Sequence, residues 1–310
     1  MKKTIAISVG DLNGIGIQLI LENHKNIKKG INPLYCIDRE MLEQASKLLN
    51  LPIPDDFNCL KNTGNTFTIQ PKKITKESGA YAFNSFKQAV ELTRSKKADG
   101  VMTLPIHKKA WELAGVKYKG HTDALRDFFQ ADAIMMLGSP KMYVALYTEH
   151  IPLYQVSKEV QNVKKLSSFL IHFYNALKVD LHKNETIALL GLNPHAGDDG
   201  VLGDEERKIK EATLIAHQTI GRKIYTEPLV PDVAFTPNSR KNYRYFVAMY
   251  HDQGLAPLKA LYFDEGINIS LNLPIIRTSV DHGTAFDIAY SNIKLNNLSY
   301  LNAIDYFETT

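Results

Sequence analysis

The chain predicts an α/β fold built on a largely parallel sheet. Strand-like and helix-like segments alternate along it. Its short β-rich runs are closed by glycine- or proline-bearing loops. Its composition, 44% hydrophobic and 23% charged, is that of an ordinary globular protein. At 310 residues it can bury a large core, and the length favours about two domains.

Residues 5–9 form the first predicted strand. The loop Gly10-Asp11-Leu12-Asn13-Gly14-Ile15-Gly16 follows, and a helix runs over 15–22. Ala80, Phe83, Phe86, Ala89 and Val90 recur at helical spacing within 77–95. Residues 100–104 are the next strand, closed by Pro105. A strand at 143–147 leads into His150. One helix is expected over 157–176, through Val160, Val163, Leu166 and Leu170. A strand at 187–191 leads into Asn193-Pro194-His195-Ala196-Gly197. Residues 205–221 read as a helix, with Asp204, Glu205 and Glu206 favourable to its N-terminal dipole and Gly221 as its stop. A strand at 245–249 enters Tyr250-His251-Asp252-Gln253-Gly254-Leu255, where Gly254 reads as a turn residue. No internal repeat or long low-complexity linker marks a boundary.

The net charge of +4, without a long basic block, gives no electrostatic case for nucleic acid. Lys25, Lys28 and Lys29 read as a solvated helix end before Gly30. Cys36 and Cys59 share no short metal spacing; parity alone allows a disulfide, but they read as free buried thiols in a reducing compartment. Met1-Lys2-Lys3 starts like a leader, but the apolar run after it is too short and meets Gly10-Asp11 at once. No run approaches a membrane span, so no membrane partner and a cytoplasmic location are expected.

Four constellations could carry chemistry. His150, His195 and His251 each follow a predicted strand, and in open α/β sheets ligands bind beyond the carboxyl ends of strands. Together they could hold a divalent metal with positions left open for substrate. Their spacing alone equally allows three separate loop histidines. Asp252 could be a further ligand, an orienter of imidazole or a turn residue. Gly120-His121-Thr122-Asp123 precedes a helix that Thr122 could cap, and a helix start suits an anion. Lys259, Asn268 and Arg277 suit a substrate bearing phosphate and carboxylate, or are surface residues. The loop at 10–16 and the turn at 281–287 each read as a glycine turn before a helix. The first could cradle an anion or permit a tight turn.

Taken together, these segments resemble the 4-hydroxythreonine-4-phosphate dehydrogenase family of vitamin B6 biosynthesis. The matching stretches are Gly10-Asp11 with Gly14-Ile15-Gly16, Pro105-Ile106-His107-Lys108, Gly120-His121-Thr122, residues 191–197, residues 250–255 and residues 276–284. They occur in the family's order across nearly the whole chain. The first loop departs from the family's GDPAGIGPE at Leu12, Asn13, Ile17 and Gln18, and Leu104 stands where glycine is common.

The resemblance implies an isocitrate/isopropylmalate-dehydrogenase-like fold, with two α/β domains flanking a cleft, in a homodimer. Residues 1–125 plus 245–310 would form the domain with the nucleotide-binding loop, and 126–244 the second. It implies NAD(P)-dependent oxidation of 4-phosphohydroxy-L-threonine to a β-keto acid that decarboxylates to 3-amino-2-oxopropyl phosphate. It implies a divalent metal (Zn, Mg, Co or Mn) on His150, His195 and His251, with His251 reaching the partner's pair. Substrate would meet His121, Thr122, Lys259, Asn268 and Arg277. Asp281, His282, Gly283, Thr284 and Asp287 would meet the cofactor. Asp252 and a metal-bound water are the candidate general bases. Other phosphorylated hydroxy acids, a phosphate acyltransferase and a non-enzymatic binder are the competing readings.

Overall fold

The computed structural model describes residues 2–61, 63–178, 181–182 and 184–309. Met1, the start of the leader-like triplet, lies outside them. In chain order the first elements are β1 Thr4–Ser8, α1 Gly16–Ile27, β2 Asn32–Cys36, α2 Arg39–Leu49, α3 Lys76–Arg94, β3 Gly100–Thr103, α4 Lys108–Leu113 and α5 His121–Phe129. Next come β4 Ile134–Ser139, β5 Met142–Leu146, α6 Leu153–Val160, α7 Val163–Leu177, β6 Ala188–Leu189, α8 Glu205–Ile220, α9 Pro231–Ala234 and α10 Pro237–Asn242. The last are β7 Tyr245–Ala248, α11 His251–Tyr262, β8 Ile267–Leu271, β9 Ile276–Val280 and α12 Leu298–Thr309.

The chain divides into two compact units, Met1–Ala133 with Ile267–Thr310, and Ile134–Gly266. Residues 245–266 belong to the second, because β7 pairs with β5 and β6. No helix among the described residues is long and apolar enough to cross a membrane. Cys36 and Cys59 are free thiols.

In the first unit the strands run β2-β1-β3-β9-β8. The first four are parallel, and β8 is antiparallel to β9. Side chains alternate along a strand, so register defines each face. Ala6 and Val101 are paired, as are Ser8 and Thr103 one step further on. Ala6 and Val101 lie in the apolar core with Phe86, Trp111 and Leu125. Ser8 and Thr103 continue that face toward the carboxyl edge as buried hydroxyls. A core face that turns polar at one end is the first structural sign of a site.

In the second unit the order is β4-β5-β7-β6, with β5, β7 and β6 parallel. Val144, Leu146, Phe246 and Ala248 form a core with Leu255 and Leu258 of α11. Gly254 therefore lies within a helix and not in the expected turn. A Cβ there would sit 2.5 Å from Val144 Cγ1 and 2.9 Å from Ala248 Cβ, so close packing is what requires glycine. The single helix expected over 157–176 is two. Asn162 caps α7 by accepting from the Lys165 amide at 3.1 Å, which breaks the run. Gly221 ends α8 at φ +75°, as its position predicts.

Candidate active site

The polar end of the first unit's sheet is organised around Arg277. Its side chain is 2% exposed. Ser270 pairs directly with Arg277 across β8 and β9, so the two share a face, and Asn268 two residues away shares it as well. Arg277 Nε and Nη2 donate to Thr103 Oγ1 at 3.1 and 2.6 Å, and Nη1 donates to Ser270 Oγ at 3.3 Å. Nη2 also lies 3.2 Å from His121 Nδ1. No carboxylate pairs with this guanidinium among the described residues. Burial pushes its pKa down to about 9. A buried cation held only by neutral groups costs free energy until an anion arrives.

His121 stands at the first position of α5, with the rings of Phe86 and Trp111 edge-on at 4.8 and 5.3 Å. Burial, reinforced by the Arg277 charge, holds its imidazole well below the usual range. Gly120 precedes the helix, so Thr122 is in its first turn and is not the cap. Buried polar atoms without a hydrogen-bond partner include His121 Nε2, Asn268 Oδ1, Ser8 Oγ and His107 Nδ1. In folded proteins buried polar atoms are nearly all paired, so such a group invites a ligand. Lys259 belongs to α11 of the second unit, with its Nζ 5.8 Å from the Phe263 ring centroid.

The glycine loop at 10–16 is a tight turn with most of its amides already engaged. Four of them have acceptors within the protein: Asp11 N on Pro105 O, Asn13 N on Asp11 Oδ1, Gly14 N on Asp11 O and Ile15 N on Thr284 O. Asp11 is 1% exposed, and burial pushes its carboxyl up to about 6, while the Asn13 amide and the Ser78 hydroxyl act the other way. Asn13, one of the departures, fastens the segment at 70–75. Its Nδ2 donates to Lys73 O at 2.8 Å and its Oδ1 accepts from Gln70 N at 2.9 Å. Tyr290 OH donates to Leu12 O at 2.6 Å.

The 281–287 turn thus lies against that first loop. Asp281 N donates to Ser299 Oγ at 3.1 Å, His282 Nδ1 lies 3.0 Å from Gly283 O, and Lys72 Nζ donates to Asp287 O at 2.9 Å. The next helix starts only at Leu298, so this is not a turn opening a helix. Phe286 stacks on the His107 ring at 5.1 Å, and a Cβ on Gly283 would enter open space.

All three histidines lie in the second unit, beyond the carboxyl ends of the parallel strands β5, β6 and β7. The chains leading to His150 and His251 are stapled together. Tyr147 N donates to Ala248 O at 2.9 Å, and Thr148 Oγ1 donates to Met249 O at 2.6 Å. The two imidazoles come within 5.4 Å, centroid to centroid, at 43°. His251 Nδ1 lies 2.7 Å from Asp252 Oδ1, a carboxylate contact that orients an imidazole and leaves Nε2 to face a metal.

His195 does not complete a trio. Among the described residues no three His, Cys, Asp or Glu side chains form a metal-holding group. Within one chain the imidazoles that lie close together are those of His150 and His251. His195 sits in the segment Pro194–Gly200, where φ is +51° at His195, +52° at Ala196 and +83° at Gly197. Left-handed backbone at non-glycine residues is costly and needs support from its surroundings. Glu206 supplies it: Oε1 accepts from the Leu192 and Asn193 amides, both at 2.8 Å, and Oε2 accepts from Asn193 Nδ2 at 2.9 Å.

Thr103, Ser270, Thr148 and Glu206 are contributions that sequence reasoning missed. A lone hydroxyl or carboxylate carries no spacing signal. Thr103 alone had a hint, as the one hydroxyl in the apolar strand that Pro105 closes.

Residues 29–307 match the family model described as pyridoxal phosphate biosynthetic protein PdxA. The curated 4-hydroxythreonine-4-phosphate dehydrogenase of Sulfurimonas denitrificans is 56% identical over 98% of this chain and 96% of its own length. That of Campylobacter fetus is 48% identical over 97% and 96%. The crystal structure of a 4-hydroxythreonine-4-phosphate dehydrogenase from Klebsiella pneumoniae superposes with a TM-score of 0.84 at 31% identity, over 100% of this chain and 98% of that one. The fold is of the isocitrate/isopropylmalate-dehydrogenase-like α/β type.

Proposed function

Since the chain belongs to the family of pyridoxal phosphate biosynthetic protein PdxA, we propose that it oxidises 4-phosphohydroxy-L-threonine at C3 using NAD or NADP and a divalent metal. The hydroxyl proton is released and hydride passes to the nicotinamide. The β-keto acid loses CO2, a proton takes its place on carbon, and 3-amino-2-oxopropyl phosphate results.

The observation that carries this reading is Arg277, buried and charged with neutral neighbours only. Such a side chain lowers the energy of a bound anion without giving up an existing ion pair. His121 and Asn268 add polar atoms that await a partner, and Thr122 and Lys259 are the further residues proposed for substrate. Anchoring the phosphate orients C3, and orientation removes part of the barrier.

The chemistry of His150 and His251 fits a divalent ion: two imidazoles converge, with a carboxylate against one of them. The proposal places Zn, Mg, Co or Mn on His150, His195 and His251. One donor comes from a second copy of the chain in a homodimer with shared sites. The exposed apolar residues Leu153, Tyr154, Val201 and Leu202, near these histidines in sequence, support that assembly. When bound, the metal supplies Lewis acidity at the C3 oxygen and the nicotinamide accepts the hydride. Asp252, 84% exposed beside His251, is the proposed proton acceptor. Asp281, His282, Gly283, Thr284 and Asp287 are proposed for the cofactor. Open space at Gly283 would let a nucleotide approach the backbone.

The test follows NAD(P)H absorbance with metal-stripped protein and 4-phosphohydroxy-L-threonine, before and after divalent metals are restored. Metal-dependent reduction is expected. No reduction with any metal or either cofactor would overturn the assignment and direct the search to other phosphorylated hydroxy acids.

A further inference from the structure

The contact between Arg277 and His121 determines more than position. A guanidinium has five N–H donors and no acceptor. Arg277 Nη2 lies 3.2 Å from His121 Nδ1, so Nδ1 must offer its lone pair. In a neutral imidazole the proton is then on Nε2, and Nε2 is buried without a partner. We propose that Arg277 locks His121 as the Nε2–H tautomer, and that this N–H donates to an oxygen of the bound anion.

Three elements face the imidazole: Phe86 of α3, Trp111 of α4 and Arg277 of β9. Only Arg277 among these is charged, and among the described residues no carboxylate pairs with this imidazole. Burial and the neighbouring cation both disfavour the second proton. Thr103 and Ser270 matter because their hydroxyls hold the guanidinium without neutralising it. An anion therefore meets one permanent cation and one neutral donor, and not two cations that compete for protonation. The donor half of this inference rests on the anion-binding reading above. The tautomer half stands on the protein without any ligand.

The experiment uses the full chain with 15N-labelled histidine. Long-range 1H–15N spectra distinguish the two tautomers from imidazolium, and loss of one ring system in His121→Gln assigns the signal. The Nε2–H pattern is expected, unchanged between about pH 6 and pH 8, where an ordinary histidine titrates. An Nδ1–H pattern, or an imidazolium at the lower pH, overturns the lock. Arg277→Met should release it into exchange between tautomers, and retention of a pure Nε2–H form there also overturns it. Should that variant not fold, the wild-type spectrum still decides.

Inorganic phosphate is then titrated in. A saturable shift of the Nε2 resonance is expected. His121→Phe should bind phosphate about tenfold more weakly, the loss of one hydrogen bond to a charged group, and His121→Gln should recover much of it. An unmoved Nε2 in a locked tautomer overturns the donor role alone. Failure of the functional reading would instead appear as missing turnover with the tautomer intact.

Discussion

Gln253 donates a 2.8 Å hydrogen bond from Nε2 to the carbonyl of Gly191, while its Oε1 accepts from the Met249 amide at 2.7 Å. One amide side chain thereby ties the strand end that precedes His251 to the loop that precedes His195. Gln253→Ala leaves the buried Met249 amide and the Gly191 carbonyl unpaired, a cost of about 1–3 kcal/mol each. We expect a lower unfolding midpoint in urea and a larger loss of divalent-metal affinity than global destabilisation accounts for. Metal titration by calorimetry on the folded variant checks this, and an affinity equal to wild type would confine Gln253 to stability.

Gly254→Ala tests the packing of α11 on its sheet. The added methyl would sit 2.5 Å from Val144 Cγ1, inside any ordinary contact, and 2.9 Å from Ala248 Cβ. Overpacking of this kind costs about 1–3 kcal/mol, well above the gain in helix propensity from removing a glycine. The expected outcome is net destabilisation in chemical denaturation. A more stable variant would show that α11 can move away from β5 and β7 at little cost.

Asp11 makes a prediction about pH. Its carboxyl is pushed from 3.8 to about 6 by burial, so the folded chain holds this proton where the unfolded chain has released it. The stability that Asp11 contributes therefore falls as pH rises from about 4 to about 6, and the loss is complete above that window. The shift of roughly two pKa values corresponds to about 3 kcal/mol at most. Asp11→Asn keeps an oxygen for the Asn13 amide and removes the charge. Its advantage over wild type should be small at pH 4 and reach its maximum near pH 7, measured by urea unfolding across that range. An equal advantage at every pH would show that Asp11 does not titrate in this window.

How far the sequence revealed this molecule depended on whether a residue's role was local. The alternation of strands and helices, and the stops at Pro105 and Gly221, are short-range features and were readable. So was the delivery of histidines to strand ends, because each follows its own strand. The division of the 157–176 run at Asn162 was missed because apolar spacing continues across the break. Gly254 was misread because a glycine required by a neighbouring strand looks the same as one required by a turn. Asn13 reads as a departure from the family's loop, and only the fold shows that it clamps residues 57 and 60 positions away. The Arg277 environment was the least legible, since Thr103 and His121 reach it from 174 and 156 residues away.

Thr103→Val examines that environment with little change in side-chain volume. The substitution removes the acceptor for two guanidinium N–H groups in a site with 2% exposure. A buried charged donor left unpaired costs at least about 1–3 kcal/mol, so urea unfolding should show a loss of that order. Ser270 and His121 still hold two corners of Arg277, so the side chain should stay in place but lose its orientation. For the proposed reaction this means a raised KM for the phosphorylated substrate with a smaller change in kcat, since the groups at the reacting carbon are untouched. Steady-state kinetics with saturating cofactor and metal separates the two. A variant with wild-type stability and an unchanged KM would remove Thr103 from the site.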